Sequence, residues 1–128
     1  MFTDSTSSVM LERAMSAAWR RAQLISHNIA NQDTPGFKAL RMDFESQLRS
    51  AMEKSERAQS RRERLDGLRA VEPRVFADRR TSIRADGNNV DSDAEHIELA
   101  RVQLQYQALR DKINSHFNRM QSAITGGR

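Results

Sequence analysis

The amino-acid sequence predicts a mainly α protein. Its long N- and C-terminal helices are expected to pair as an antiparallel coiled coil, with a short helix and an irregular or small β middle segment between them. Apolar residues recur at heptad spacing near both ends of the 128-residue chain, and this spacing is typical of a helix seam. Only 38% of the residues are hydrophobic and 30% are charged. The chain is therefore expected either to be partly disordered or to complete its core with partners.

The first predicted helix covers residues 9–31. Its seam residues recur at spacings of four and three: Leu11, Met15, Ala18, Ala22, Ile25 and Ile29. Asn31 is expected to end the helix in a left-handed conformation, and Pro35 prevents its continuation. The segment Thr34–Phe37 reads as a turn, because Pro35 presets the first central position and Gly36 tolerates a positive φ at the second.

A weaker second helix is predicted from residue 43 to about residue 58, with Asp43 as a plausible N-cap. Its one apolar stripe consists of Phe44, Leu48 and Met52. The following segment to residue 90 is polar and rich in arginine. Its short apolar spots, which could form a small hairpin or remain disordered, are Val71, Val75, Phe76 and Ile83.

The last helix is the clearest of the predicted elements. A turn cluster at Asp86–Asn89 precedes it, and Ser92 with Glu95 matches a capping box. Its seam consists of Leu99, Val102, Tyr106, Leu109, Ile113, Phe117 and Met120. The predicted parts are thus a disordered tail over residues 1–8, an N-terminal helical region over 9–58, a variable, flexible middle over 59–90 and a C-terminal helix over 91–125.

Each terminal helix carries a second apolar stripe, on nearly the opposite side from its seam. We interpret these stripes as an assembly face, and its residues are Met10, Ala17, Leu24, Ile97, Leu104 and Ala108. One pairing of two helices cannot bury both a seam and a second stripe. Either neighbouring subunits cover the second stripes, or the Phe44–Met52 helix covers them within one chain as a three-helix bundle.

No residue pattern indicates catalysis, a cofactor or a metal. The chain has no cysteine, which excludes disulfides and thiolate zinc sites. None of its three histidines lies in an HExxH pattern, and no P-loop, GxGxxG or GxSxG occurs. No apolar run approaches the roughly 20 residues of a membrane span. We therefore expect a structural protein that is not an enzyme and does not insert into a membrane.

Nucleic-acid binding is the main alternative, because the formal net charge is +4. The arginines that could contact phosphates are Arg61, Arg62, Arg64, Arg69, Arg79 and Arg80. Acidic residues such as Glu63 and Asp66 dilute this patch, and aromatic stacking residues are nearly absent from it. A solvated, charged loop that binds no nucleic acid fits the pattern better.

The segment 24–34 resembles the signature of bacterial flagellar basal-body rod and hook proteins. Its core is the run Asn28, Ile29, Ala30 and Asn31, and the resemblance continues through Thr34, Pro35, Gly36 and Phe37. The segment Leu104–Leu109 resembles the matching C-terminal motif of the same family. The resemblance covers roughly residues 9–50 and 86–125 and does not include the middle.

The resemblance implies a structural subunit of the proximal rod, which self-associates through its terminal helices to build a hollow drive shaft. It also implies location in the periplasmic rod of the flagellar basal body after export without a cleaved signal peptide. The implied partners are further copies, other rod proteins, the basal-body adaptor FliE, the MS-ring region and the flagellar type III export apparatus. Two roles stay open for the motif. The Asn28 and Asn31 amides bond backbone groups of a neighbouring subunit, or Asn31, Pro35 and Gly36 only end the helix and form the turn.

Overall fold

The computed structural model describes residues 5–79 and 84–126. The elements along the chain are α1 (Thr6–Ala30), β1 (Leu40–Asp43), α2 (Glu45–Glu56), α3 (Arg61–Arg69), β2 (Arg74–Ala77) and α4 (Ser92–Ile124). The fold is thus mainly helical with one small sheet, as predicted. None of these helices is both long and apolar enough to cross a membrane.

The two long helices, α1 and α4, pack against each other in opposite directions. Near the start of α1, Ser8 Oγ lies 3.0 Å from Nε2 of His116 in the last third of α4. Near the end of α1, Asn28 Nδ2 donates to Oε2 of Glu95 in the first turn of α4 at 3.0 Å. These two contacts fix the direction and the register of the pair.

The helix α1 begins at Thr6, because Ser5 acts as its N-cap and accepts a hydrogen bond from the backbone N–H of Ser8 at 3.1 Å. This corrects the expected disordered tail over residues 1–8. Residues 6–8 of that tail are helical and Ser8 is buried, whereas residues 1–4 lie outside the described part of the chain.

The end of α1 differs from the prediction in one torsion angle. Asn31 occupies the C-cap position with φ −102° and not the left-handed conformation that the sequence suggested. Its side-chain amide donates to the carbonyl of His27 at 2.8 Å, which satisfies a carbonyl of the last turn without a positive φ. The positive φ belongs to Gly36, at +71°, in a turn closed by the N–H of Phe37 donating to the carbonyl of Thr34 at 3.2 Å.

The middle of the chain is more ordered than expected. The sheet pairs β1 with β2 in antiparallel register, Leu40 opposite Ala77, so Val75 and Phe76 pair with a distant strand instead of forming a local hairpin. The helix α3 was not predicted. Ser60 caps it by accepting from the N–H of Glu63 at 3.1 Å. The remaining apolar spot of the expected hairpin, Ile83, lies outside the described residues.

The caps of α2 and α4 differ from the predicted ones. Phe44 is the N-cap of α2, while Asp43 accepts from the backbone and side chain of Ser46. Those hydrogen bonds hold the pKa of the Asp43 carboxyl below its usual value. Asp91 caps α4 by accepting from two backbone N–H groups at 3.1 Å. The prediction that Ser92 and Glu95 form a capping box is wrong, because the Glu95 side chain points into the protein.

The helix α1 lies between two layers, with α4 on one side and α2 and α3 on the other. Its seam side forms an apolar cluster around Ala18, Ile25 and Val102. Its other side forms two smaller clusters, which consist of Val9 with Leu65 and Leu68, and of Ala17 with Phe44 and Val71. The middle segment therefore folds back over α1 and leaves α4 on the outside.

Candidate assembly surface

A polar junction joins the end of α1, the strand β1 and the start of α4. At its centre, Asn28 is fully buried. Its Oδ1 accepts from the N–H of Leu40 at 2.8 Å, and its Nδ2 donates to the carbonyl of Leu40 at 2.9 Å and to Glu95. The amide thus pairs with the edge of β1 as a neighbouring strand would. This corrects the idea that Asn28 bonds a neighbouring subunit, because its partners lie within the chain.

Glu95 is the charged member of the junction, and its side chain is 1% exposed. A buried carboxylate is costly unless it is paired and hydrogen-bonded. Here one oxygen forms an ion pair with the Arg41 guanidinium and the other accepts from Asn28. The start of α4 is thereby attached to both α1 and β1.

Two further asparagines complete the junction from the loop before α4. Asn88 Nδ2 donates to the carbonyls of Asn31 at 3.0 Å, Gln32 at 3.1 Å and Thr34 at 2.8 Å. Asn89 accepts from the N–H of Ala39 at 2.7 Å and donates to the carbonyl of Asp78 at 2.6 Å, which bridges the end of the β1–β2 ladder. Every buried side-chain nitrogen and oxygen in the described residues has a partner.

The sequence pattern predicts only local roles for these residues. It places Asn88 and Asn89 in a turn cluster and Glu95 in a capping box, and it gives no role to Arg41. The sequence does contain one signal for the role of Glu95. Asp91 precedes α4 and can cap it, so the carboxylate of Glu95, one turn later, is not needed for the cap and is available to bind another group.

The predicted seam residues lie between α1 and α4 along most of the pair. Ala18, Ile25 and Val102 are buried, and the residues packed around them are Ala22, Ile29, Leu99, Tyr106 and Leu109. Leu11, Met15, Ile113 and Met120 are partly buried, whereas Phe117 is half-exposed. Contact therefore loosens toward the end of α4, where α4 extends beyond the start of α1.

The predicted assembly face divides into a covered half and an open half. On α1, Leu24 is 8% exposed, Ala17 is buried with Phe44, and Met10 packs on the Leu65–Leu68 cluster. Ala17 and Leu24 are therefore buried within the chain and Met10 is partly buried, which corrects their assignment to an open assembly face. Helices α2 and α3 cover Met10 and Ala17, as in the three-helix alternative, whereas Leu24 faces β1 and the start of α4.

The open half consists of four residues of α4, which we call the α4 stripe: Ile97, Ala100, Leu104 and Ala108. Ile97 is 66% exposed and Leu104 is 67% exposed, and the two alanines are exposed as well. The spacings of three, four and four place all four on one side of the helix, nearly opposite the buried Val102. The stripe is about 16 Å long at 1.5 Å per residue.

An aromatic pair shared by both long helices lies at the edge of their seam. Trp19 of α1 is 58% exposed, and its ring centroid lies 6.2 Å from that of Tyr106 at an interplanar angle of 49°. A groove of about 210 Å³ runs along this pair and is bordered on α4 by Gln103 and Gln107. The groove is a second apolar surface, with an amide border, in addition to the stripe.

Nothing in the described residues suggests a reactive centre. No group of three or more His, Asp or Glu side chains within residues 5–79 and 84–126 could hold a metal ion. His116 contacts Ser8, and the ring of His27 lies 5.7 Å from that of Phe37, edge to face. The candidate assembly surface is therefore characterised by how its side chains pack and not by reactive groups.

The amino-acid sequence is similar to those of several known proteins. A family model described as "Flagella basal body rod protein" matches residues 10–38, from the second turn of α1 to just before β1. The FlgB basal body rod protein of Bacillus subtilis is 36% identical over 119 residues, covering 92% of each chain. Those of Aeromonas hydrophila and Escherichia coli are 32% and 31% identical, covering 88% and 91% of each chain.

Proposed function

This chain belongs to the FlgB family of flagellar basal body rod proteins, and on that premise we propose that it is a structural subunit of the bacterial flagellar rod. Its role is to build a shaft in the basal body, and it performs no catalysis. We place it in the proximal rod, where its paired terminal helices form a coiled coil and pack beside those of neighbouring subunits around a hollow core.

The observation that carries the proposal is the open α4 stripe. The opposite side of α4 is already occupied by α1, and α2 and α3 cover the far side of α1. Only α4 presents an apolar row with no neighbour within the described chain. Burying two leucine-sized side chains contributes about 3–6 kcal/mol toward docking of a neighbouring subunit, before the costs of association.

Trp19 of α1 provides a second exposed apolar site, separate from the stripe. Exposed tryptophans are enriched at the energetic centres of protein interfaces, and this one lies against Tyr106 on the α1–α4 side of the pair. Neighbouring subunits that contact the stripe and Trp19 would hold the helix pair from two sides, as a shaft that transmits torque requires.

The proposed partners are further copies of this chain and other rod proteins. On the resemblance to the family we add the adaptor FliE and the MS-ring region at the base of the rod. We also propose that the chain reaches the periplasmic rod through the flagellar type III export apparatus, without a cleaved signal peptide.

Nucleic-acid binding gains no support as a second function. On α3 the arginines alternate with carboxylates, and Asp66 lies within 4.0 Å of both Arg62 and Arg69, at 3.7 and 3.8 Å. Such a mixed surface offers no continuous positive track for a phosphate backbone.

The test is a matched pair of substitutions on one side of α4. Leu104→Glu places a charge within the stripe, and Ser115→Glu places the same charge on the same side of the helix but beyond its apolar part. Each variant is expressed in a strain that lacks the native gene, and motility in soft agar and isolated basal bodies are scored. Leu104→Glu should reduce motility to the level of the deletion strain with no complete rod, whereas Ser115→Glu should restore it.

Normal motility and complete basal bodies with Leu104→Glu would refute the proposed surface. Loss of assembly with both variants would also contradict it, because added charge anywhere on that side would then be sufficient.

A further inference from the structure

The apolar seam between α1 and α4 does not by itself select one register. Helix α4 has 33 residues and α1 has 25, so α4 is longer by about one heptad. A slide of α1 by seven residues toward the end of α4 would place Leu11 beside Met120 and Ala18 beside Ile113. Apolar residues would still face apolar residues, because both seams repeat with the same period.

The slid register would also cover apolar surface that the observed register leaves out. Phe117 is half-exposed and Ile124 is 78% exposed. Hydrophobic burial along the seam thus gives no preference for the observed pairing over the slid one.

The polar junction distinguishes the two registers. A slide of seven residues moves α1 by about 10 Å along α4, far beyond hydrogen-bond distance. Asn28 and Glu95, which are 3.0 Å apart in the observed register, would separate. Asn88 would lose its three carbonyl partners at the end of α1. Asn28 would keep its two hydrogen bonds to Leu40 of β1. Glu95 and Asn88 are buried, so the loss of their partners on and after α1 would cost free energy.

We propose that Asn28, Asn88 and Glu95 are positioning residues that select the register of α1 on α4. The seam supplies attraction at either register, and the junction permits only one of them. Buried polar residues fix the register of coiled coils in the same way. In the selected register Trp19 lies against Tyr106, and the consequence of this register for assembly rests on the proposed function.

Engineered cysteine pairs can report directly which register the two helices adopt, because the chain has no cysteine of its own. The pair Ser8→Cys with His116→Cys reports the observed register, in which the two native side chains are 3.0 Å apart. The pair Ser8→Cys with Ala123→Cys reports the slid register, seven residues further along α4. In the otherwise native chain we expect the first pair to form its disulfide at least tenfold faster than the second, under mild oxidation of dilute protein.

The deciding variant carries Asn28→Leu, Asn88→Leu and Glu95→Leu together, which removes all three positioning side chains and puts apolar side chains of similar size in their places. We expect the rate ratio of the two reporter pairs to fall from tenfold or more to within about twofold of unity. The control Glu95→Gln retains an oxygen that accepts from Asn28 Nδ2, and we expect it to keep the native ratio.

An unchanged tenfold ratio in the triple-leucine variant would overturn the proposal. So would loss of both cross-links together with loss of helicity by circular dichroism, because the junction would then supply stability and not selection. Loss of the native ratio in Glu95→Gln would contradict it as well. The disulfide rates report on the isolated chain, whereas motility reports on the assembled rod. Failure of this proposal and failure of the proposed assembly surface therefore give different results.

Discussion

The second apolar stripe of α1 and the second apolar stripe of α4 are alike in sequence and differ in environment. On α1, Met10 and Ala17 are covered by α2 and α3, and Leu24 is buried beside β1 and the start of α4. The α4 positions Ile97 and Leu104 face outward. One stripe has become part of the core, and the other remains available to a partner. An amphipathic pattern thus predicts that a surface is covered, but it does not predict which segment or partner covers it.

The difference follows from the order of the elements along the chain. After α1 ends, β1 returns along it through Asn28 and Leu40, and α2 and α3 then lie on the far side of α1. The chain reaches α4 only after this cover is complete. No further segment within residues 84–126 remains to cover α4, which therefore keeps an open side.

The largest effect expected from this comparison is for Leu24→Glu. The charge would replace a side chain that is buried where α1 meets β1 and the start of α4, so the free energy of unfolding should fall by about 4 kcal/mol. Urea unfolding followed by circular dichroism measures this change. A loss of less than 1 kcal/mol would mean that the α1 stripe is not enclosed in solution.

Leu68→Ala tests the cover itself. Leu68 is fully buried against Val9, and its truncation should lower the free energy of unfolding by about 3 kcal/mol through lost burial and the cavity left behind. The matched control is Leu104→Ala in the exposed stripe, expected to change stability by less than about 0.5 kcal/mol. Equal losses for the two variants would contradict the contrast between covered and open stripes.

A smaller effect is expected at the ion pair that joins α1 to the start of α2. Arg21 Nη2 lies 2.7 Å from Glu45, whose side chain is 60% exposed. Burial raises the pKa of Glu45, but the hydrogen bonds and charge of Arg21 outweigh it and the net pKa lies below the usual value. Arg21→Met should therefore cost about 0.5 kcal/mol at neutral pH, a figure that already allows for solvent screening.

The pH dependence of that cost has a definite sign. Because the folded pKa of Glu45 is lowered, its stabilising contribution is complete above the unfolded pKa, about 4.3, and is lost as pH falls through the folded value. The stability difference between the native chain and Arg21→Met should thus shrink below about pH 4. A difference that grows with acid, in urea titrations at pH 7 and pH 3, would exclude this pair as its source.

The smallest effect is expected for Leu104→Glu in the isolated chain. The new carboxylate would stand in solvent, so the free energy of unfolding should change by less than about 0.5 kcal/mol. Compared with Leu24→Glu, this variant makes the same substitution at the other predicted assembly-face leucine. A loss above 2 kcal/mol would mean that Leu104 has a partner within its own chain.

The sequence predicts the structure where that structure follows from local periodicity. The heptads predict both long helices, and Gly36 has the positive φ expected of it in the turn. The sequence pattern does not predict α3, whose nine residues contain only two buried leucines in a strongly charged segment. Such a helix is held by packing against α1 and not by its own propensity.

The polar junction escaped prediction for a related reason. Asn88 and Glu95 each have an ordinary local use, in a turn and in a helix cap, and a single sequence cannot show that they are used elsewhere. Their actual partners lie 54 to 67 residues away along the chain. Only the closed fold places those groups within 3 Å of one another.

By itself the sequence determined that the chain has two long amphipathic helices with more apolar surface than one pairing can bury, and it excluded thiol chemistry. The tertiary structure decided which surplus surface is covered, which remains open and in which register the helices meet. The physical reason is that periodicity acts over one or two helical turns, whereas burial and polar pairing depend on elements that are distant in sequence and adjacent only after folding.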